Sequence, residues 1–470
     1  MNLKTANRPP ASPPVRSSSS GGMARSFRPE TTEPRPFRRW YLGTDVRFVV
    51  AFAAATVWMG ASLWLSLPWI GSLGDHIGLV PAIVAVTLVA LIPGHLVAFL
   101  AVALLFDRPP PLVAVHPTTP VTVLVAARNE AGTISETIDY LTAQDYDGDL
   151  QIMLIDNGST DGTADIARAA AARAGRRLTV RHETRPGKNY ALNNGLAAVG
   201  TPIVITVDAD TLLQKSAVRL LVARLQSSPP DVVAVAGHLM VRNSREGIWA
   251  RLQVWDYLLG IAAVKRVQGM FQGTLVAQGA FSGYRTEALR TAGGWPAAIG
   301  EDIVLTWQLL RVGRVYHEPL ALGFTGVPTT LRQLGRQRSR WARGMLEGIE
   351  AVPPWLQRRR TVRALAMIDL AIPFLDLAYV AVWLPGLVLA ATGRFWVVGP
   401  MTLAVLPMTL ALYGLLYRRQ KRKVFRPLAL RPRKDALAMV LFVTVYQAFM
   451  SVMSVRGYAQ HLMRRKHTWK

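Results

Sequence analysis

The sequence predicts an α/β domain with a mainly parallel sheet, inserted between membrane-length apolar segments. Three observations carry that prediction. Short Val/Ile/Leu runs alternate with helical stretches between residues 118 and 350, apolar runs flank this block on both sides, and two carboxylates, Asp208 and Asp210, close the run Ile203-Val-Ile-Thr-Val-Asp208-Ala-Asp210. Strand-helix alternation at this spacing favours parallel pairing, with the ligand site at the carboxyl ends of the strands.

Residues 1–40 are rich in Pro, Ser, Gly and Arg and lack an apolar period, which predicts a disordered basic leader; the apolar run begins too late for a signal peptide, and Met23 is an alternative start. Within 41–110, the runs at about 46–69 and 78–106 are each long enough, at 1.5 Å per residue, to cross a ~30 Å hydrocarbon layer, so they predict a transmembrane hairpin. In the polar block, Val121–Ala127, Gln151–Asp156, Leu178–His182, Ile203–Asp208 and Val232–Gly237 are the expected strands, with Ser135–Ala143 and Thr163–Ala174 as helices between the first of them. Gly247–Val267 mixes Trp249, Trp255, Tyr257 and Leu258 with Arg251, Lys265 and Arg266, a composition suited to an amphipathic helix in a membrane interface. Three further crossings, near 365–392, 395–417 and 435–455, are expected within 360–460. Five crossings would put the basic end Arg464-Arg-Lys466 on the face opposite the polar block, against the positive-inside tendency. Either one C-terminal segment is re-entrant or interfacial, or the tendency fails for this short tail.

The chain has 470 residues, 51% of them hydrophobic, and a formal net charge of +25. Such a charge brings nucleic acid to mind, but the basic residues crowd the leader, the flanks of the apolar runs (Arg358-Arg-Arg360, Arg418-Arg-Gln-Lys-Arg-Lys423) and the C-terminus. That distribution fits anionic membrane lipid, not nucleic acid. With no cysteine, disulfides and thiolate zinc sites are excluded.

Five groups of residues carry chemistry. Asp156 ends a strand and opens Asp156-Asn-Gly-Ser-Thr-Asp161-Gly162; an ionised carboxylate there can accept the imide N–H of a uracil ring, whereas Asp161, next to Gly162 and before a helix, reads as a cap. Asp208 and Asp210 supply hard oxygen ligands for a divalent cation against phosphate. Upstream, Arg185-Pro-Gly-Lys188-Asn189 places a lysine on a Gly-containing loop before the helical Ala191–Ala198, where it can meet a diphosphate or stay a solvated surface lysine; local sequence leaves both open. Gly300-Glu301-Asp302 opens the helical Ile303–Leu310, so Asp302 can be a helix cap or a base facing a sugar hydroxyl. In Gln337-Arg338-Ser339-Arg340-Trp341, helical spacing gathers Gln337, Arg340 and Trp341 on one face, joining an amide, a guanidinium that can grip diphosphate and an indole that packs on a sugar ring. A membrane-interface Trp and Arg is the plainer reading of the same residues.

Taken in order, Ala126-Ala-Arg-Asn-Glu130, the Asp156 loop, Asp208-x-Asp210, Gly300-Glu-Asp302 and Gln337-x-x-Arg340-Trp341 resemble the membrane-embedded, inverting family 2 glycosyltransferases, which include cellulose, chitin, hyaluronan and poly-N-acetylglucosamine synthases. The resemblance covers about 120–350. Gln278-Gly-Ala280, Gly293-Gly-Trp295, Glu301 to Trp307 and Arg336 to Trp341 are most similar to the poly-β-1,6-N-acetylglucosamine synthase branch. It implies a GT-A fold, a UDP-sugar donor and Mg²⁺ or Mn²⁺. Asp156 would contact uracil, Asp208 the nucleotide-sugar and Asp210 the metal; Lys188 and Glu301 would join the substrate-binding set. Asp302 would be the general base, Gln337, Arg338 and Arg340 would hold the diphosphate, and Trp341 would support the acceptor sugar. Two departures stand out: Gly300 replaces the usual Thr, and Asn157 a common second Asp. The function so implied is extension of a β-linked glycan from UDP-N-acetylglucosamine or UDP-glucose at the inner face of the cell membrane, with the catalytic block cytoplasmic. Asp369 and Asp376, seven apart in the 365–392 span, could face the path of a growing glycan or lie at interfaces and pair nearby. Single transfer to a lipid acceptor is the competing enzyme reading, and a non-catalytic transporter or scaffold the competing class. Sugar identity, linkage and any accessory export subunit are not legible.

Overall fold

A computed structural model of the chain describes residues 43–398, 400–430 and 435–463. The expected leader and the basic end Arg464-Arg-Lys466 lie outside the described residues.

Eight strands form one sheet: β1 (Val121–Ala127), β2 (Leu150–Asp156), β3 (Leu178–His182), β4 (Ile203–Asp208), β5 (Leu212–Leu213), β6 (Val232–Val241), β7 (Phe281–Arg285) and β8 (Arg314–Thr325), in the order β3-β2-β1-β4-β7-β6-β8-β5. The first four pair in parallel. β7 enters antiparallel between β4 and β6, and β8 runs parallel to β6. Sequence periodicity gave no warning of β5, β7 or β8. β7 is Phe-Ser-Gly-Tyr-Arg, with no aliphatic run, and β8 carries His317-Glu318-Pro319 in its middle. Tertiary pairing, not local propensity, makes these segments strands.

The sheet is covered on both faces, as parallel strands require. Val121, Val123 and Val125 pack under the helices Ile134–Thr142, Thr163–Arg173 and Ala217–Gln226, while Leu124, Met153 and Ile155 face Lys188–Ala198 and Glu301–Val312. Register puts Ala127 opposite Asp156 and Ala126 opposite Asp208, so both acids emerge at one sheet edge beside the end of β1.

Four helices among the described residues are long and apolar enough to cross a membrane: Thr44–Ile77, Leu79–Leu105, Arg360–Ala391 and Ala436–Leu462. A further helix, Pro400–Gln420, occupies the segment expected near 395–417. The chain just before it reaches the far end of the first helix, where the Trp69 indole donates to the Trp396 carbonyl at 2.9 Å. Its other end meets the α/β domain, with the Gln420 amide beside Arg266 and His238. The last helix instead packs along Leu331–Ala351: Ser339 Oγ donates to the Met453 carbonyl at 2.8 Å, and His461 meets Glu350 at 2.8 Å. Asp376 is buried and accepts from Ser451 Oγ and Tyr458 OH, both at 2.8 Å, tying these helices together.

The expected interfacial helix is observed as Ile248–Trp255, a wide turn over Asp256–Ile261, and Ala262–Met270. Its aromatics are largely covered by the chain itself. Trp249 packs edge-on against Phe449, and Trp255 lies against Tyr417.

Candidate active site

Asp156 ends β2 almost fully buried. Its Oδ1 accepts the Ser159 N–H at 3.1 Å, and its Oδ2 lies 3.2 Å from His182 Nδ1. Asp161 behaves as a cap, accepting from the N–H and hydroxyl of Thr163 and from the N–H of Ala131. Asn157 explains itself: its Nδ2 donates to the carbonyls of Glu183 (3.0 Å) and Arg185 (2.7 Å), and its Oδ1 accepts the Gly187 N–H at 2.9 Å. That amide fixes the loop that delivers Lys188. A carboxylate could not donate the first two bonds.

The Lys188 ammonium donates to Asp208 Oδ1 at 2.5 Å and stands 3.7 Å from Glu301 Oε1. Burial favours the neutral amine, but Asp208 and Glu301 outweigh it and hold the proton more tightly than in an ordinary lysine. Burial pushes the Glu301 carboxyl up to about 7, with Lys188 opposing the rise and Asp302 adding to it. Asp302, at the start of Glu301–Val312, accepts the Gly279 N–H at 3.2 Å through Oδ2 and the Ile303 N–H at 2.9 Å through Oδ1. The Gln278-Gly279-Ala280 loop therefore closes over the same group, and a Cβ on Gly279 would come within 2.8 Å of Lys188 Nζ, so a side chain there would push the ammonium aside.

Asp210 lies beyond the end of β4. Burial, then the neighbouring charges of Asp208 and Glu130, push its carboxyl up to about 6, with Arg242 and Lys188 opposing. These crowded carboxylates fit a divalent cation, which would relieve their repulsion. No group of three or more His, Cys, Asp or Glu able to hold a metal exists among the described residues, so the acids here could supply only part of a coordination shell, the rest falling to ligand and water oxygens.

Leu331–Ala351 carries the Gln-Arg-Trp residues. Its N-terminus is capped by Thr330, whose hydroxyl accepts the Gln333 N–H. Glycine at 300 is required by this helix, because a Cβ there would lie 2.6 Å from Gly344 Cα. Arg340 is exposed. The buried Oε1 of Gln337 has no hydrogen-bond partner among the described residues. Arg338 has partners within the protein: its Nη2 donates to Asp256 and, at 3.1 Å, to Tyr446 OH, and its guanidinium lies 4.3 Å from the centroid of the Trp341 ring. Trp341 in turn packs with Val241, Ala250, Tyr257 and Val327. Tyr257, whose hydroxyl burial pushes up to about 12, feels the charges of Arg338, Asp256, Asp210 and Arg340 together. The Asp-x-Asp edge and the Gln-Arg-Trp helix thus share one neighbourhood.

Asp256, Glu130, Arg242 and Lys265 belong to this neighbourhood without having been singled out as site residues in the sequence. Glu130 closes a quoted motif, but Asp256 and Lys265 lie in a helix whose aromatic pattern pointed to membrane. Lys265 is pulled by burial down to about 7, with Asp302 opposing.

Residues 122–293 match the family described as glycosyl transferase family 2. This stretch is a family 2 glycosyltransferase domain. Glu301, Asp302 and the Gln337–Trp341 helix follow it in the chain. Over 226 residues, the chain is 32% identical to a poly-beta-1,6-N-acetyl-D-glucosamine synthase of Staphylococcus aureus (strain MSSA476) and 30% identical to one of Staphylococcus epidermidis; each alignment takes in 48% of this chain and 54% of the relative. The chain thus spans about half the length of the curated relatives it matches. A mannosyltransferase from Pyrobaculum calidifontis, solved in complex with GDP-Man and Mn2+, superposes with a TM-score of 0.55 over 82% of this chain and 99% of that one, at 23% identity. The family 2 domain therefore has the GT-A fold expected of it.

Proposed function

We propose that the protein is an inverting glycosyltransferase that extends a β-linked polysaccharide from a UDP-sugar at the inner face of a cell membrane, with N-acetylglucosamine the first sugar to test. The observation that carries this reading is the convergence of Lys188, Asp208, Glu301 and Asp302 at the edge where β2 and β4 end. The similarity to poly-beta-1,6-N-acetyl-D-glucosamine synthases supports the choice of sugar.

In this reading Asp156 accepts from the uracil, and Lys188 keeps Asp208 aimed at the nucleotide-sugar. Asp210 would hold Mg²⁺ or Mn²⁺, which when bound supplies positive charge against the diphosphate. Asp302, fixed through both oxygens by N–H donors, takes the proton of the acceptor hydroxyl. The hydroxyl oxygen bonds to the anomeric carbon as the bond to the UDP oxygen breaks, UDP leaves with that electron pair, and attack from the opposite face inverts an α-linked donor to a β-glycoside. Arg340, exposed and close to Tyr257, is free to grip the departing diphosphate. Arg338 we assign to positioning Trp341, on which the acceptor sugar rests. Retention of a growing chain on that indole favours processive synthesis with coupled translocation.

The contacts of the helices support a membrane arrangement with four crossings. Thr44–Ile77, Leu79–Leu105, Arg360–Ala391 and Pro400–Gln420 cross, and Ala436–Leu462 lies beside Leu331–Ala351 on the cytoplasmic side. Four crossings put Met463, the last described residue, on the catalytic face.

Purified full-length protein in lipid, given UDP-N-acetylglucosamine or UDP-glucose with Mg²⁺, is expected to release UDP and build polymer. Products one sugar long would favour single transfer to lipid, and tight UDP binding without turnover would favour a non-catalytic role.

A further inference from the structure

Away from the acids, a cavity of about 510 Å³ lies between the far side of the Ile248–Ile261 helix and the end of Pro400–Gln420. Its size is that of a site for a drug-sized or lipid-sized ligand. The walls are apolar and aromatic: Met240, Val254, Trp255, Leu258, Tyr417 and Phe425. The rim is polar and unevenly charged. Arg251 is neutralised by a two-pronged pair with Asp435, Nε to Oδ2 at 2.9 Å and Nη2 to Oδ1 at 3.0 Å. Arg245 is exposed and makes no hydrogen bond or ion pair among the described residues. Among the described rim residues, Arg245 is thus the uncompensated positive charge.

The position of the cavity names its occupant. Tyr417 stands in the last turn of an apolar helix, and the next residues, Arg418, Arg419, Lys421, Arg422 and Lys423, form the basic collar where such a helix leaves the hydrocarbon. An apolar chamber opening at headgroup level beside one free guanidinium matches a molecule with a single phosphodiester charge and hydrocarbon chains.

We propose that this cavity binds one monoanionic diacyl phospholipid, its phosphate on Arg245 and its glycerol and upper acyl carbons against Trp255, Leu258, Tyr417 and Phe425. The bound lipid would brace the outer side of the helix whose inner side presents Asp256 and Tyr257 to Arg338 and Trp341. This proposal does not depend on the transfer reaction.

The test uses full-length protein in phosphatidylcholine nanodiscs containing phosphatidylglycerol, extracted and weighed by native mass spectrometry. One phosphatidylglycerol per chain is expected to survive extraction of the wild type. Arg245→Glu, which reverses the exposed charge, and Val254→Trp, which fills the chamber, should each lower that occupancy roughly tenfold or more, while Arg422→Glu outside the cavity should not. Equal retention in wild type and both cavity variants overturns the proposal by reducing the lipid to nonspecific annular binding. Complete displacement by inorganic phosphate overturns it too, because the apolar walls would then contribute nothing.

Discussion

Lys188 donates to Asp208 at 2.5 Å, from a loop whose path is set by the Asn157 amide. Without that cation, Asp208, Asp210 and Glu301 would face one another uncompensated. Lys188→Met is expected to raise the KM for the UDP-sugar and cut kcat/KM by roughly 10- to 100-fold, the worth of a hydrogen bond to a charged group. Lys188→Arg should do nearly as badly, for a longer planar guanidinium cannot repeat the ammonium's placement 2.5 Å from Asp208 and 3.7 Å from Glu301. UDP release at several donor concentrations checks both; unchanged kinetics in Lys188→Met would remove the lysine from the site.

Asp302 accepts from the N–H groups of Gly279 and Ile303 through separate oxygens, so Asp302→Asn keeps the side chain's size and one of these two bonds while removing the proton acceptor. A loss of about 10²–10⁴-fold in turnover is expected, with UDP affinity by calorimetry within about twofold of wild type. Retained turnover would assign the proton elsewhere.

The Asp256–Arg338–Trp341 stack separates two roles for one arginine. If Arg338 positions Trp341, Asp256→Asn loosens the indole: acceptor KM rises, products shorten, and UDP affinity is unchanged. Were Arg338 instead a diphosphate ligand, freeing it from Asp256 would tighten UDP binding. Product length and UDP titration on the same preparation distinguish the outcomes.

Much of this neighbourhood was legible in the sequence because it rests on local rules. β1, β3 and β4 match their expected bounds, since β1 and β4 are largely aliphatic runs and β3, Leu-Thr-Val-Arg-His, alternates apolar and polar residues, and Asp156 and Asp208 fall where parallel strands end. The partners were not legible. That Gly300 answers Gly344, and that Asn157 serves a loop 26–30 residues away, depends on helix crossing and loop return, which no local pattern encodes. Arg338 illustrates the same limit, since its motif suggests an anion contact while its distant partners Asp256 and Tyr446 decide where it points.

Lys265 predicts a pH dependence of stability. Burial lowers its folded-state pKa to about 7, whereas an unfolded lysine stays protonated to about 10.4. Between those values the unfolded chain binds more protons, so stability rises with pH, by at most about 1.4 kcal/mol per pH unit. Wild type should therefore gain melting temperature between pH 7 and 9 relative to Lys265→Met. Parallel curves for the two proteins would mean that the native fold leaves this ammonium hydrated.

The absence of cysteine makes the membrane arrangement directly testable. Trp396 meets Trp69 near the far end of the first helix, whereas Met453 and His461 meet Ser339 and Glu350 in the helix that carries Trp341. Single cysteines at Gly393 and at Met463 should thus react with an impermeant maleimide from opposite sides of sealed inverted vesicles, Met463→Cys sharing the side of a cysteine at Arg245. Five crossings would make Gly393 and Arg245 differ in the same way but move Met463 to the side of Gly393. Only the Met463 result separates the two topologies, because it reports whether the last apolar helix spends its hydrophobic face on lipid or on the helix that carries Trp341.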